Sequence, residues 1–360
     1  MHQIINVNPC PELTLLVTLK DRFEFTKRMC RYFEEARYPF HVIFADGSLE
    51  NDTEDFFKKL KNPGFSYEYI RYPKDETYLD YYKKCASAIK KVKTPYVMLA
   101  DNDDFPIAEG QMKAIEFLKD SPDYVGCNGR LAGVVLDQPA KAQAKNLFFI
   151  PYYCKVMDIQ VDLDQDSAYE RIKIYCKDFY TIYYSIFKTE SLSATLSAIQ
   201  KKNFSTLHAC EIFFSCMQLA QGKIKSLSVL TYVRQKGSSQ AASSQKSWFF
   251  RIMHTNMIND LKEAFYYISS LINKQDKNMF LEISEMYIAS IERKYSWSKK
   301  DFFIKILHLF KKKNMDFWLY KVNRISFFVS YQLSRLYIKN TTSLNTLSLI
   351  RRVCVVKKKS

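Results

Sequence analysis

Residues 96–104 read YVMLADNDD, and this stretch decides the fold that the sequence predicts. Five apolar residues in a row have the length of a buried strand, and three of the next four residues are acidic. Similar runs come earlier in the chain, at 13–19 (LTLLVTL), 41–45 (HVIFA) and 66–72 (SYEYIRY). Helical patterns separate these runs, at 22–37, 53–60 and 78–92. Strands that alternate with helices predict an α/β protein with a mostly parallel, doubly wound sheet and helices on both faces.

The rest of the chain is less regular. Further strands are expected at 124–127, 179–187 and 224–233, and helices at 109–119, 192–201 and 206–221. The pattern predicts a loop over 138–165 and only helices after residue 248, at 249–272, 277–294, 299–313 and 315–339. We therefore expect an α/β domain over residues 1–245 and an all-helical, strongly basic domain over 246–360.

Composition excludes several classes of protein. Of the 360 residues, 47% are hydrophobic and 26% are charged, which is a globular composition. Gly is found only eight times, and no glycine-rich nucleotide loop is present. The nine cysteines are odd in number and form no C-x-x-C motif, so we expect reduced thiols in the cytoplasm, without a disulfide framework. We expect neither a signal peptide nor a membrane span.

The acidic turn after residue 100 has the chemistry of a metal site. Parallel sheets bind ligands beyond the carboxyl ends of their strands, where Asp101 and Asp103 fall. Two carboxylates at i and i+2 can bind one Mg²⁺ or Mn²⁺ and leave positions open for phosphate oxygens. The alternative is a turn or helix cap without a ligand. A second acidic strand end, Asp46-Gly47-Ser48, about 55 residues earlier favours the metal site.

The segments YPFHVIFADGS and TYLDYYKKCASAIKKVKTPYVMLADNDDF resemble a GT-A-fold glycosyltransferase of the family 2 type. The resemblance covers roughly residues 12–245. It implies a nucleotide-sugar donor, of which a UDP-sugar is favoured, a divalent metal and inversion at the anomeric carbon. It also implies transfer to a hydroxyl of a glycan or lipid-linked acceptor in bacterial surface polysaccharide synthesis.

The resemblance also assigns residues. Nucleotide-sugar binding falls on Thr18, Lys20, Arg22, Asp46, Asp101, Arg234 and Lys236. Metal binding falls on Asp101 and Asp103, and Asp104 would orient the loop. Two departures from the family pattern are Ala45, where an acid usually precedes Asp46, and Ile212, where a second acid usually follows the base. They leave open a non-catalytic sugar-binding relative.

An inverting transfer needs a general base for the acceptor hydroxyl. In the family this carboxylate lies near a helix start about 100 residues after the acidic turn, which points to Glu211 within His208-Ala209-Cys210-Glu211. A solvated glutamate without a catalytic role is the alternative. Asp178 and Asp166 are the next candidates. Tyr169-Glu170-Arg171 could line the acceptor cleft.

Residues 293–360 carry 17 Lys and Arg against two acids, a net charge of +15, while the first 292 residues carry +1. Aromatic residues interleave with these bases, a mixture that predicts docking on an anionic membrane surface. We expect a cytoplasmic protein, peripheral at the inner face of the cell membrane. The basic residues also suit nucleic acid, but residues 1–245 hold no nucleic-acid-binding motif, so we expect no such partner. A sugar nucleotidyltransferase would need a glycine-rich loop after the first strand, and residues 19–22 (LKDR) have no glycine.

Overall fold

The computed structural model describes residues 10–136, 152–156, 161–178, 180–236 and 257–272. The strands in this part of the chain are β1 (Cys10–Leu19), β2 (Phe40–Asp46), β3 (Tyr67–Arg71), β4 (Tyr96–Asp101), β5 (Phe105–Pro106), β6 (Tyr124–Leu136), β7 (Tyr152–Val156), β8 (Ile186–Lys188) and β9 (Lys223–Lys236). Across the sheet they lie in the order β3-β2-β1-β4-β8-β6-β9-β5, and β7 pairs with β6.

Helices connect the strands and cover the sheet. They are α1 (Phe23–Ala36), α2 (Asp52–Lys59), α3 (Tyr78–Ala88), α4 (Ala108–Asp120), α5 (Ala168–Asp178), α6 (Thr189–Lys202), α7 (Leu207–Gln221) and α8 (Met257–Ile272). Local sequence explains two of the helix starts. Thr77 and Asp80 form a reciprocal capping box at α3, and the Thr206 side chain accepts a hydrogen bond from Ala209 N at α7.

Strands β1 to β4 form the parallel core of the sheet, in which β1 pairs with β2 and β4, and β2 pairs with β3. The predicted α/β class is confirmed. Neighbouring residues of β1 belong to different cores, since Leu16 packs among α3, α6 and α7 while Leu15 and Val17 pack with α1 and α4 on the other face. A strand that is buried on both faces reads as a continuous apolar run, which explains LTLLVTL.

The second half of the sheet mixes directions. Strand β8 is antiparallel to both β4 and β6, whereas β6 and β9 are parallel. The predicted strand over 179–187 is wrong for most of its length, because regular pairing is confined to β8. Tyr183 and Tyr184 lie in a turn before β8. The predicted loop over 138–165 contains β7, which the sequence analysis missed.

Helix α8 packs on α7 although the two helices fall on opposite sides of the boundary predicted at 245/246. Leu261, Phe265 and Ile268 are buried in the same apolar cluster as residues of α7. The Asp260 carboxylate accepts hydrogen bonds from the backbone and hydroxyl of Ser205 and Thr206, directly before α7. The other helices predicted after residue 272 lie outside the described residues, and the division into two domains stays a prediction.

Two further expectations concern thiols and membrane spans. The cysteines whose surroundings are described are buried free thiols: Cys30, Cys85, Cys127, Cys176, Cys210 and Cys216. Within the ranges that the structure describes, no helix has both the length and the apolar character that crossing a bilayer requires.

Candidate active site

The carboxyl ends of the parallel strands bring the residues predicted for the site together. Register pairs Thr18 of β1 with Asp101 of β4, and Leu19 with Asp46 of β2. Asp46 is in turn paired with Arg71 of β3. Four strand ends therefore meet at one edge of the sheet, which is where α/β folds bind their ligands.

Three carboxylates form a cluster at this edge. Oxygens of Asp101, Asp103 and Asp104 lie within 4.8 Å of one another, and the last two residues are buried. Burial raises the pKa of Asp101, and the Asp103 carboxylate raises it further. Burial, together with repulsion from Asp103 and Asp101, holds the pKa of Asp104 well above its ordinary value. Three hard oxygen donors whose charges repel one another suit a divalent cation such as Mn²⁺ or Mg²⁺.

Two tyrosines hold Asp101 in place, one through its carboxylate and one through its backbone. Tyr184 donates from its hydroxyl to Asp101 Oδ2 at 2.7 Å, and Asp101 N donates to the Tyr232 hydroxyl at 3.1 Å. The two rings stack with their centroids 4.6 Å apart. Burial, followed by the Asp101 charge, holds the pKa of Tyr184 well above its usual value, so its proton stays available for this bond.

Three arginines surround the cluster. Arg22 Nη2 lies 2.7 Å from Asp103 Oδ2. Arg28, from α1, donates to the backbone oxygen of Asp103 at 2.7 Å and to Gln235 Oε1 at 2.6 Å. Arg234 Nε lies 3.8 Å from Asp104 Oδ2, and its guanidinium lies over the ring of Tyr184. The cluster is thus enclosed by positive charge.

Residue Asp104 ties the acidic turn to the last strand, because its Oδ1 accepts a hydrogen bond from Gln235 N at 2.8 Å. Arg234 and Gln235 are adjacent in β9, and Lys236 is the last residue of that strand. Residues 237–244 (GSSQAASS), which follow this strand, lie outside the described residues.

The Asp46 carboxylate is fully buried and accepts four hydrogen bonds. Ser48 donates from its backbone N at 2.9 Å and from its hydroxyl at 2.5 Å, Tyr69 from its hydroxyl at 2.6 Å, and Arg71 from Nη1 at 2.8 Å. The Ser48 hydroxyl also accepts from Asp21 N at 2.7 Å. In this arrangement Asp46 fixes the loop that carries Lys20 and Arg22.

The same loop has an uncommon backbone. Asp21 and Arg22 have φ values of 54° and 59°, in the left-handed region that costs a non-glycine residue roughly 1 kcal/mol or more. Leu49 N donates to Asp21 Oδ1 at 2.9 Å, and this bond helps to fix the turn. Lys20 is exposed beside it, while Thr18 is buried at the end of β1.

A buried ion pair lies behind this edge. Lys84 of α3 pairs with Asp75 and also donates to the Leu19 carbonyl at 2.7 Å. A Cβ added to Gly47 would come within 2.5 Å of the Asp75 carboxylate, so the Asp46-Gly47-Ser48 turn requires glycine. Burial raises the pKa of Asp75, although Lys84 opposes the shift.

Glu211, the predicted base, lies in the second turn of α7 and outside the carboxylate cluster. Its side chain is 45% exposed, and Oε2 lies 4.0 Å from Nδ1 of His208. This exposure fits the alternative of a solvated glutamate as well as a base that an acceptor can reach, and the catalytic role of Glu211 stays a prediction. Glu211 is among the groups that raise the pKa of the buried Tyr82, after burial, Tyr183 and Cys210, which places it beside α3.

The remaining candidates for the base and the acceptor cleft are Asp166, Asp178 and Arg171. Asp166 is 98% exposed and pairs with Lys223 at 2.8 Å, a surface arrangement. The side chain of Asp178 lies outside the described residues. Arg171, which was expected near the acceptor, is buried and donates to the carbonyl oxygens of Gln165, Asp166 and Leu219, so its role is structural.

Sequence reasoning missed several residues that shape the site, namely Arg28, Arg71, Asp75, Lys84, Tyr184, Tyr232 and Gln235. Arg71 offered a usable signal, since it ends a predicted strand at the same edge as Asp46. Arg28 lies one and two-thirds turns after Arg22 on a helix that follows the first strand, but nothing in its own pattern distinguishes it from a solvated arginine.

No family model matches this chain, and no curated protein matches it. Among solved structures it is similar to TarS from S. aureus. The structure of TarS 1-349 in complex with UDP-GlcNAc matches with 13% identity and a TM-score of 0.47, over 95% of this chain and 90% of that chain. The structure of TarS 1-349 in complex with UDP matches with 12% identity and a TM-score of 0.45, over 95% of this chain and 86% of that chain.

A further TarS structure matches over 81% of this chain, with 13% identity and a TM-score of 0.47. This chain spans 44% of that TarS chain.

We expect Arg71→Met to lower the free energy of unfolding by about 2–3 kcal/mol, because it leaves the buried Asp46 carboxylate without its cation. Urea unfolding followed by circular dichroism measures the change. Lys74→Met is the matched control, since Lys74 is exposed and pairs with the exposed Glu76 at 3.5 Å. Equal effects of the two substitutions would show that the Asp46 pair does not stabilise the loop.

Proposed function

We propose that the chain is a GT-A-type glycosyltransferase that moves a sugar from a nucleotide-sugar donor to a hydroxyl of a glycan or lipid-linked acceptor in bacterial surface polysaccharide synthesis. One observation carries the proposal: a buried carboxylate cluster, ringed by arginines, lies at the carboxyl edge of a parallel sheet next to the Asp46-Gly47-Ser48 turn. A UDP-sugar is the donor that we favour.

The donor would lie along this edge. Thr18, Lys20 and Asp46 would flank the nucleoside, and the diphosphate would lie near Asp101 and Asp103. Asp46 is already saturated by Ser48, Tyr69 and Arg71, so its part is to fix the shape of the nucleoside site. Guanidinium groups bind phosphate oxygens through paired hydrogen bonds, which suits Arg22 and Arg234 to the leaving diphosphate.

Carboxylates Asp101, Asp103 and Asp104 would hold a Mn²⁺ or Mg²⁺ ion, which fits the hard oxygens and the mutual repulsion of the cluster. When bound, the ion supplies positive charge to the diphosphate oxygens. Tyr184 keeps Asp101 oriented toward the cluster, and Gln235 N does the same for Asp104. Preorganised groups of this kind do not need to reorient during the reaction.

In an inverting transfer, the acceptor oxygen bonds to the anomeric carbon as the bond from that carbon to the diphosphate breaks. Glu211 would take the proton of the acceptor hydroxyl, and Arg22, Arg234 and Lys236 would offset the charge of the departing diphosphate. The 45% exposure of Glu211 leaves its carboxylate accessible to an acceptor from solvent.

Calorimetric titration of UDP, GDP and CDP, with and without Mn²⁺, tests the donor site. We expect one nucleotide to bind in a metal-dependent way and Asp103→Asn to weaken that binding at least about 100-fold, since it removes a charged ligand. Asp120→Asn, an exposed change at the end of α4, should leave binding unchanged. Absence of binding by all three nucleotides would refute the proposed donor site.

Replacement of the base separates binding from chemistry. Glu211→Gln should lower kcat by about 10²–10⁴ and leave donor affinity within about twofold, because it removes proton transfer alone. Turnover is measured as nucleoside diphosphate released from a sugar donor that carries the nucleotide selected by calorimetry. Glu190→Gln, at an exposed position in the first turn of α6, is the control. Full turnover by Glu211→Gln would eliminate Glu211 as the base.

We also propose that residues 293–360 dock the protein on the anionic inner face of the cell membrane. The full chain should sediment with phosphatidylglycerol vesicles at low salt and not with phosphatidylcholine vesicles. Replacing Lys311, Lys312 and Lys313 by Gln should weaken this binding more than tenfold, at about 1 kcal/mol for each base. Equal binding to both lipids, or tighter binding to duplex DNA than to anionic vesicles, would contradict membrane docking.

A further inference from the structure

The carboxylate cluster already holds a cation that belongs to the protein. Arg22 Nη2 lies 2.7 Å from Asp103 Oδ2, with 25% of the Arg22 side chain and 5% of the Asp103 side chain exposed. A short bond between two charged groups at a nearly buried site is among the stronger polar contacts in proteins. A metal ion that binds Asp103 has to share or displace this guanidinium.

The charges of the site also favour competition between Arg22 and a metal ion. Asp101, Asp103 and Asp104 carry at most three negative charges, and Arg22, Arg28 and Arg234 carry three positive charges. A divalent cation added to this group leaves an excess of at least two positive charges at a nearly buried site. A nucleoside diphosphate brings negative charge of about that size, so the cation and the nucleotide each offset the cost of binding the other.

The three arginines hold the acidic turn in different ways. Arg28 donates to the backbone oxygen of Asp103, and Arg234 Nε lies 3.8 Å from Asp104 Oδ2. Arg22 donates directly to a carboxylate oxygen that a metal would use. Arg22 is thus the arginine whose contact conflicts with a metal on Asp103.

Arg22 is also placed to change partner. Its guanidinium lies 4.3 Å from the ring centroid of Phe25, and its backbone is fixed in the left-handed turn described above. Its buried Nε has no hydrogen-bond partner among the described residues. The base of the side chain is fixed, while one donor of the guanidinium is unpaired and gains an acceptor only if the guanidinium moves to an anion.

We infer that Arg22 is an internal counter-cation that occupies the metal position at Asp103 and moves to the donor diphosphate when metal and nucleotide bind together. The inference rests on the proposed function and adds a coupling between the two ligands. Metal alone then binds weakly, because it must displace Arg22 with no new anion to receive the guanidinium. With the nucleotide present, the diphosphate can bind the Arg22 guanidinium while Asp103 binds the metal ion.

The test measures Mn²⁺ binding to the full chain by the electron paramagnetic resonance signal of free Mn²⁺, first without nucleotide. We expect Arg22→Gln to bind Mn²⁺ about tenfold more tightly than the unaltered protein. Arg22→Lys keeps the charge and should stay within about threefold of it. Arg31→Gln, which removes the same charge from an exposed position on α1 where Arg31 pairs with Glu35, should have no effect.

The titrations are then repeated with saturating UDP. In the unaltered protein UDP should tighten Mn²⁺ binding strongly, and in Arg22→Gln this enhancement should fall at least tenfold. Equal Mn²⁺ affinity of Arg22→Gln and the unaltered protein without nucleotide would overturn the inference. That result would not affect the proposed function if UDP still binds in the presence of Mn²⁺ and Asp103→Asn weakens this binding. Failure of the inference is therefore distinguishable from failure of the proposed function.

Discussion

Repulsion among Asp101, Asp103 and Asp104 is the constraint that organises this edge of the molecule. Carboxylates within 4.8 Å of one another at a nearly buried site favour separation or protonation unless positive charge is brought close. The protein brings it from distant parts of the chain, with arginines from the loop after β1, from α1 and from β9. These arginine contacts offset the repulsion and join the loop after β1 and strand β9 to the acidic turn.

The sequence was sufficient for the parallel half of the sheet. LTLLVTL and HVIFA are buried on both faces, so their apolar character is continuous and their strand ends follow from it. The two acidic strand ends, Asp46 and Asp101, could be placed at one edge for the same reason. Parallel strands that start on the same side of a sheet must also end on the same side.

Other features depend on contacts between distant residues, which no local pattern records. FYTIYYSIF has the composition of a strand, but Tyr183 and Tyr184 bind Tyr81 and Asp101 from a turn, so tertiary contacts override propensity there. Arg28 and Gln235 meet across 207 residues of sequence. The exposure of Glu211 is a further example: its neighbours Ile212 and Phe213 are fully buried, yet consecutive residues of a helix face different directions, and Glu211 is 45% exposed.

The contact between α8 and α7 has a consequence for how the chain can be divided. Asp260 accepts hydrogen bonds from Ser205 and Thr206 at the start of the helix that carries Glu211, and Phe265 completes the apolar layer beneath it. A recombinant fragment that stops at residue 245 would lack Asp260 and Phe265. The donors of Ser205 and Thr206 would then lose their acceptor, and apolar surface of α7 would be exposed to solvent. A shortened protein made for crystallisation should therefore retain residues 257–272, which give the start of α7 its hydrogen-bond acceptor and its apolar cover.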